Sequence, residues 1–402
     1  MPAFAKRLDK VTGSAIRALF SLLGDPKIIS FGGGNPAKES FPVDLVQKYT
    51  DELYKQDGAA ILQYGATEGY KPYIKACLDA LLKNKGLSGT SANLLALTGS
   101  MQGIDLICRT FLDPGDTILV EAPTFLGALQ TFNLYQTNII PVAMDNDGLI
   151  MSELEEAIIK HRPKLLYCIP TFQNPTGRTL TLERRKTVAE LAAKYDVVVI
   201  EDDPYCELRY SGTPLPTIKS FDTTGNVVLL NSFSKTLSPG MRVGYAFGRE
   251  DIIRKMTICK QSADTHTSNI TQAIAAEFLT NNALAPHLES VIPMYSKKLN
   301  AMLNAMDKYF PTECTYTKPE GGLFVWGELP YGIRTLDLFK TAVEEYKVAF
   351  IPGEHFYPSP ELGYNTFRLN FSSESIERIE NGIMLLGELF KEAINKKTID
   401  NK

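Results

Sequence analysis

The chain has 402 residues, and its 46 acidic and 42 basic side chains leave a formal net charge of -4. With no basic field to neutralise phosphates, nucleic acid is excluded as the main partner. Hydrophobic residues make up 44% and charged ones 22%, as in folded soluble proteins, and no apolar run reaches the ~18 residues that would span a bilayer.

At about 150 residues per domain, the length predicts more than one folding unit. The chain opens with "MPAFAKRLDKVTGSAIRALFSLLG", a basic amphipathic segment whose apolar stretch is broken by Arg17. No secretion signal is read there. The segment fits a docked helix capped by Ser14 and ended by Gly24, with a mitochondrial presequence as the alternative. Residues 1–40 are taken as an N-terminal arm. The six cysteines (Cys77, Cys108, Cys168, Cys206, Cys259 and Cys314) are dispersed with no C-x-x-C pair, which predicts a reduced, cytoplasmic setting. His161, His266, His287 and His355 are too scattered to suggest a zinc site.

From about residue 94 to 248, seven short apolar runs recur: "LLALTGS", "DTILVEAP", "TNIIPVAM", "KLLYCIP", "VVVIEDD", "VVLLNSF" and "RVGYAFG". Unbroken Val/Ile/Leu runs read as strands buried on both faces, and helical stretches such as Thr181 to Asp196 separate several of them. The pattern predicts an α/β unit over residues 41–288, with a mostly parallel seven-stranded sheet sandwiched by helices. Helical periodicity resumes near Ile270. "GGLFVWGEL", "VAFIPG" and "TFRLNF" then predict a smaller α+β unit over residues 289–402. The junction is placed inside a helix, because no linker or low-complexity tract marks it.

Ligands of open α/β sheets gather at the carboxyl ends of strands, and four such ends carry distinctive residues. "LALTGSMQG" runs through Gly99, Ser100, Met101 and Gln102 into a helix, a candidate phosphate seat with Ser100 as cap. "CIPTFQNPTG" ends in turn chemistry at Asn174. "VVVIEDDPY" ends in Asp202 and Asp203 with Tyr205 behind, and "NSFSK" ends in Ser232, Ser234 and Lys235. Taken together they suit a ligand with a phosphate, an aromatic body and a group that reacts with an amine. Pyridoxal 5'-phosphate fits that description.

Three competing motifs fail. Ser232-Phe233-Ser234-Lys235 matches S-x-x-K of penicillin-binding proteins, but S-D-N and K-T-G are missing. Gly32, Gly34 and Ala37 match a dinucleotide fingerprint, but Pro36 and the adjoining "AKESFP" do not suit the start of a helix. No G-K-[ST] tripeptide exists, so there is no P-loop.

In chain order, "QYGATEGY", "TGSMQGIDL", "PTFQNPTG", "EDDPYCEL", "SFSKTLSPGMRVGY" and "FRLNF" resemble a fold-type I pyridoxal-phosphate enzyme. More narrowly, they resemble class I/II aminotransferases of the 2-aminoadipate and kynurenine group. The resemblance covers nearly the whole chain and implies a role for each candidate residue. Lys235 forms the Schiff base and then moves a proton. Asp202 faces the pyridine nitrogen, where a charge pair ~3 Å apart at an effective dielectric near 20 gives roughly 5 kcal/mol. Asn174 and Tyr205 bond the ring oxygen, and Phe125 stacks on the ring where tyrosine is usual. Gly99, Ser100, Met101, Gln102, Ser232, Ser234 and Arg242 seat the phosphate. Arg368, with Asn174 and the backbone of Gly34, clamps the substrate carboxylate. Tyr64 reaches the neighbouring subunit's phosphate, so the active sites are shared in a homodimer. Arg17 meets a substrate side chain.

The implied function is transfer of an amino group from an L-amino acid to a 2-oxo acid, with 2-oxoglutarate the expected acceptor, in a ping-pong cycle. 2-Aminoadipate, aromatic, kynurenine and branched-chain donors stay open. Rivals are a C–S β-eliminating lyase on the same scaffold and a non-catalytic effector-binding protein.

Overall fold

A computed structural model describes residues 4–8 and 25–400. Ser14, Arg17 and Gly24, and the helix expected around them, lie outside the described residues. In chain order the strands are β1 (Ile29–Ser30), β2 (Leu94–Leu97), β3 (Thr117–Ala122), β4 (Asn138–Asp145), β5 (Gly148–Leu149), β6 (Leu165–Cys168), β7 (Val198–Asp202), β8 (Val227–Ser232), β9 (Gly244–Phe247), β10 (Thr315–Tyr316), β11 (Phe324–Glu328), β12 (Val348–Ala349), β13 (Ile351–Pro352) and β14 (Thr366–Asn370).

The large sheet has the order β2-β9-β8-β7-β6-β3-β4-β5. The ladder from β8 through β7, β6 and β3 to β4 is parallel, and β9 runs against both its neighbours. All seven predicted strands are present. The eighth, β5, is a two-residue return that pairs antiparallel with β4 through Met144 and Asp145, too short to leave an apolar run in the sequence. β2, β6, β7 and β9 are buried at every position. That is why they read as continuous apolar runs rather than alternating ones.

The smaller sheet has the order β10-β11-β14-β13 and is antiparallel. A 26-residue helix, Leu284–Tyr309, leads into it. Val291, Tyr295, Leu299 and Met302 recur at helical spacing and are buried, so the helix presents one apolar face inward. One hydrophobic cluster contains Ile118 and Val120 of the large sheet together with Phe367 and Leu369 of the small one. A continuous core of this kind explains why no linker composition separates the two sheets.

The described part of the N-terminal arm joins the smaller layer. β1 pairs in parallel with β12, Ile29 against Val348. The Ala37 amide donates to the Tyr295 hydroxyl at 2.9 Å, and that hydroxyl donates to Ser40 Oγ at 3.0 Å. This carries Gly32, Gly33 and Gly34 across the mouth of the large sheet. Among the described residues, no helix is long and apolar enough to cross a membrane.

Candidate active site

A cavity of about 330 Å³ opens beyond the carboxyl ends of β3, β6, β7 and β8. Its walls include Gly34, Ser100, Met101, Phe125, Asn174, Asp202, Tyr205, Ser232, Ser234, Lys235, Arg242 and Arg368, thereby gathering residues spread over more than three hundred positions.

Lys235 lies just past the end of β8 and points its ammonium at the Gly34 carbonyl, 2.7 Å away. Burial pushes its pKa down to about 8, with the Arg368 and Arg242 charges acting in the same direction. Asp202 is the last residue of β7 and is buried. Burial raises its pKa to about 7 against the Tyr167 hydrogen bond, which lowers it, while the like charge of Asp203 adds to the rise. Tyr167 donates its hydroxyl to Asp202 Oδ2 at 2.9 Å, but the other oxygen, Oδ1, is buried with no partner among the described residues. An unmatched buried acceptor costs about 1–3 kcal/mol, so this oxygen calls for a donor from a ligand.

Asn174 links two other groups. Its Oδ1 accepts from Arg368 Nη1 at 2.9 Å, and its Nδ2 approaches the Tyr205 hydroxyl at 3.5 Å. Arg368 is 4% exposed and donates Nη2 to the carbonyls of Gly32 (2.9 Å) and Gly33 (3.1 Å). Its guanidinium stacks 4.3 Å from the Phe324 ring centre and 5.0 Å from that of Phe356. Its Nε has no partner among the described residues. Burial lowers its pKa to about 10, which still leaves it charged at neutral pH.

At the opposite end lies a candidate anion seat. Arg242 is exposed and donates to Ser234 Oγ at 3.4 Å and to the Thr98 carbonyl at 3.2 Å. The Ser232 and Ser234 hydroxyls bond each other at 2.8 Å. The helix Ser100–Phe111 points its N-terminus here, with Gly99 as N-cap at φ +82. A Cβ at Gly99 would collide with the Arg242 guanidinium, so both the φ and the approach require glycine. Phe125 lies on the wall, and Gly127 makes room for it: a Cβ there would sit 2.7 Å from the ring.

Ser100 and Gln102 are placed differently from expectation. Ser100 does not cap its helix; Gly99 occupies that position and no side-chain cap bond is made. Gln102 does not line the cavity. Its amide accepts from the Thr98 amide (2.8 Å) and Lys260 Nζ (2.7 Å) and donates to Asp264 (2.6 Å), while its own N–H bonds the Gly99 carbonyl. The buried Lys260 takes the amide, so Gln102 braces Thr98 and, through it, Arg242. Tyr64 is 84% exposed, edge-on to His266, and is not part of the cavity of its own chain. Arg17 lies outside the described residues. Sequence reasoning missed Ile169, Leu126 and Phe324 on the wall and Tyr167 behind Asp202. All of these sit in apolar runs, where nothing sets a lining residue apart from a core one.

The cavity therefore combines a low-pKa amine, an unmatched buried carboxylate oxygen, an anion seat, a second buried guanidinium and apolar walls. That donor set fits pyridoxal phosphate, whose aldehyde, ring nitrogen, phosphate and flat ring each find a complement. The fold and the site thus define a fold-type I pyridoxal-phosphate transferase.

The chain belongs to the class I and II aminotransferases, whose family profile matches residues 26–384. It is 39% identical over 98% of its length to aromatic-amino-acid aminotransferase 1 of Thermococcus litoralis, covering 95% of that protein. It is 38% identical over 97% of its length to a 2-aminoadipate transaminase of Thermus thermophilus, covering 96% of it. The crystal structure of Pyrococcus horikoshii kynurenine aminotransferase in complex with PMP superposes with a TM-score of 0.93 at 39% identity, covering 97% of each chain. The protein is a pyridoxal-phosphate-dependent aminotransferase of the 2-aminoadipate/kynurenine group. Neither the lyase nor the effector-binding alternative is favoured by these relatives.

Proposed function

We propose that this cavity moves amino groups between amino acids and 2-oxo acids, with the work divided among its side chains. When bound, pyridoxal phosphate supplies an electron sink for charge developing at the substrate Cα. Lys235 is its covalent anchor and, once released, carries the proton to and from that carbon. Asp202 Oδ1 holds the proton of the ring nitrogen. Asn174 and Tyr205 hydrogen-bond the ring oxygen, and Phe125 covers one ring face. Gly99, Ser100, Met101, Ser232, Ser234 and Arg242 seat the phosphate. Arg368 binds the substrate α-carboxylate with Asn174 and the Gly34 backbone. The observation that carries the reading is that the amine of Lys235 and the unpartnered oxygen of Asp202 belong to one cavity whose two arginines stand ready for two anions.

Tyr64 completes the phosphate seat of a second copy, which makes the working unit a homodimer. Its 84% exposure next to the exposed Leu62 supports this. Six free cysteines support a reduced cytoplasmic setting. For the donor, we favour aromatic and kynurenine-like side chains. Leu126, Ile169 and Phe324 form an apolar wall, and among the described residues every cation of the cavity already has a task. Names of relatives support both aromatic and 2-aminoadipate donors.

A donor panel tests the reading. Aromatic amino acids with 2-oxoglutarate are expected to yield glutamate, and each donor alone should change the visible absorbance of the holoenzyme. No glutamate from any donor on the panel would refute it.

Arg368→Lys gives a more local check. A lysine keeps the charge but loses the planar fork and its stacking on Phe324 and Phe356. KM for the donor should rise about 10- to 100-fold while kcat falls less. Steady-state kinetics with a saturating acceptor would show the split; an unchanged KM would remove Arg368 from carboxylate binding.

A further inference from the structure

Glu121, in β3, is a buried carboxyl that takes no part in the division of labour just proposed. It is 1% exposed and does not line the cavity. Its Oε2 accepts from the Ile169 amide at 3.0 Å and from Gln173 Nε2 at 3.1 Å. Gln173, also 1% exposed, is used completely. The same Nε2 donates to the Pro123 carbonyl at 2.8 Å, and Oε1 accepts from the Thr176 amide (2.9 Å) and hydroxyl (2.7 Å). The segment from Ile169 to Thr176 is therefore tied to Glu121 through Ile169 and Gln173, and Gln173 in turn holds Thr176, so that these bonds bracket Asn174, the residue that meets Arg368 and Tyr205.

We propose that Glu121 is a positioning residue of the transamination site, clamping the Ile169–Thr176 segment through Gln173 so that Asn174 is held against Tyr205 and Arg368. The inference rests on the transamination reading of the cavity. Among the described residues Asn174 has no other side-chain partner to fix it, and a displacement of about 1 Å at such a group can cost on the order of 100-fold in rate. β4 faces Glu121 with Val142, which is apolar. The titratable groups that sense it are Asp202 on β7 and Tyr167 and Cys168 on β6. Burial raises the Glu121 pKa to about 8, against the lowering effect of its two N–H donors and with the Asp202 charge adding to the rise. Near neutrality it is mostly uncharged. An uncharged neighbour leaves the carboxylate form to Asp202, where the ring nitrogen needs it. Glutamine is then the matching substitute, since its carbonyl accepts the same two N–H bonds.

The test uses the holoenzyme. Glu121→Gln is expected to keep the wild-type KM for the amino donor and the wild-type pH midpoint of the cofactor absorbance. Glu121→Ala should raise KM on the order of tenfold, with a smaller fall in kcat. It should also move the absorbance midpoint upward, because the ring oxygen loses a well-placed donor. Gln173→Ala breaks the same relay one link later and should reproduce that pattern, which keeps the test decisive if Glu121→Ala does not fold. A folded Glu121→Ala variant with wild-type KM and midpoint would overturn the proposal, as would a Glu121→Gln variant as impaired as the alanine. If the wild type itself gave no absorbance change with any amino donor, the functional reading would fall and take this inference with it. A wild-type response with an indifferent alanine variant would remove the inference alone.

Discussion

Lys235→Ala is expected to fold and to bind pyridoxal phosphate reversibly, yet to lose transamination by about 1,000-fold or more. Two roles vanish with one side chain. The first is covalent anchorage, which borohydride reduction and peptide mapping read directly: a pyridoxyl tag should appear on Lys235 in the wild type and on no residue of the variant. The second is proton transfer at the substrate Cα, a general acid–base role that typically contributes 10²–10⁴-fold. An unperturbed lysine is a poor base near neutrality because almost all of it is ammonium. Burial, helped by the charges of Arg368 and Arg242, brings Lys235 to about 8, so at pH 7.5 roughly a quarter is free amine. The direction of the pH effect is then fixed: the free base accumulates as pH rises through about 8, and the single-turnover rate of the wild type should climb over that range. A tag on another lysine, or a variant with normal turnover, would dislodge Lys235 from its assignment.

Asp202→Asn should lower kcat about 100-fold or more while leaving KM for the donor nearly unchanged. The geometry isolates the effect. Tyr167 already satisfies Oδ2, and among the described residues Oδ1 is buried without a partner, so the carboxylate has one oxygen to give. An amide can mimic the shape but carries no charge to hold a proton on the ring nitrogen, and a buried charge pair is where electrostatics weighs most. Burial brings Asp202 to about 7, and a protonated ring nitrogen would draw that value back down. Single-turnover kinetics on both variants would separate this loss from the loss at Lys235. An Asp202→Asn enzyme with wild-type kcat would mean that the ring proton is held by something else.

Much of the fold could be read from the chain because most strands of its large sheet are buried on both faces. Unbroken apolar runs revealed all seven long strands, and the polar residues that interrupt them fell where each strand ends. Lys235, Asp202 and Asn174 were recognisable for that reason, whereas Arg242 stands before β9 and is implied only by the resemblance. β5 was not recognisable, because two residues generate no period. Gln102 misled for a different reason. Its place after a glycine at a helix start suits a phosphate seat, but Lys260 and Asp264, far along the sequence, claim its amide. Glu121 was read as part of the run "DTILVEAP", since nothing nearby shows that Gln173 folds back onto it. Long-range partners of polar side chains leave no local trace, whereas strand ends do.

The glycine strap from Gly32 to Gly34 keeps the guanidinium of Arg368 on two of its carbonyls. The strap thus holds the guanidinium in place while its Nε keeps no partner among the described residues. Only a group that can accept from a buried cation at that N–H, as a carboxylate does, gains from the placement. Simple amines of similar size and shape, such as tyramine beside tyrosine, should accordingly be turned away at the threshold, although the apolar wall would welcome their rings.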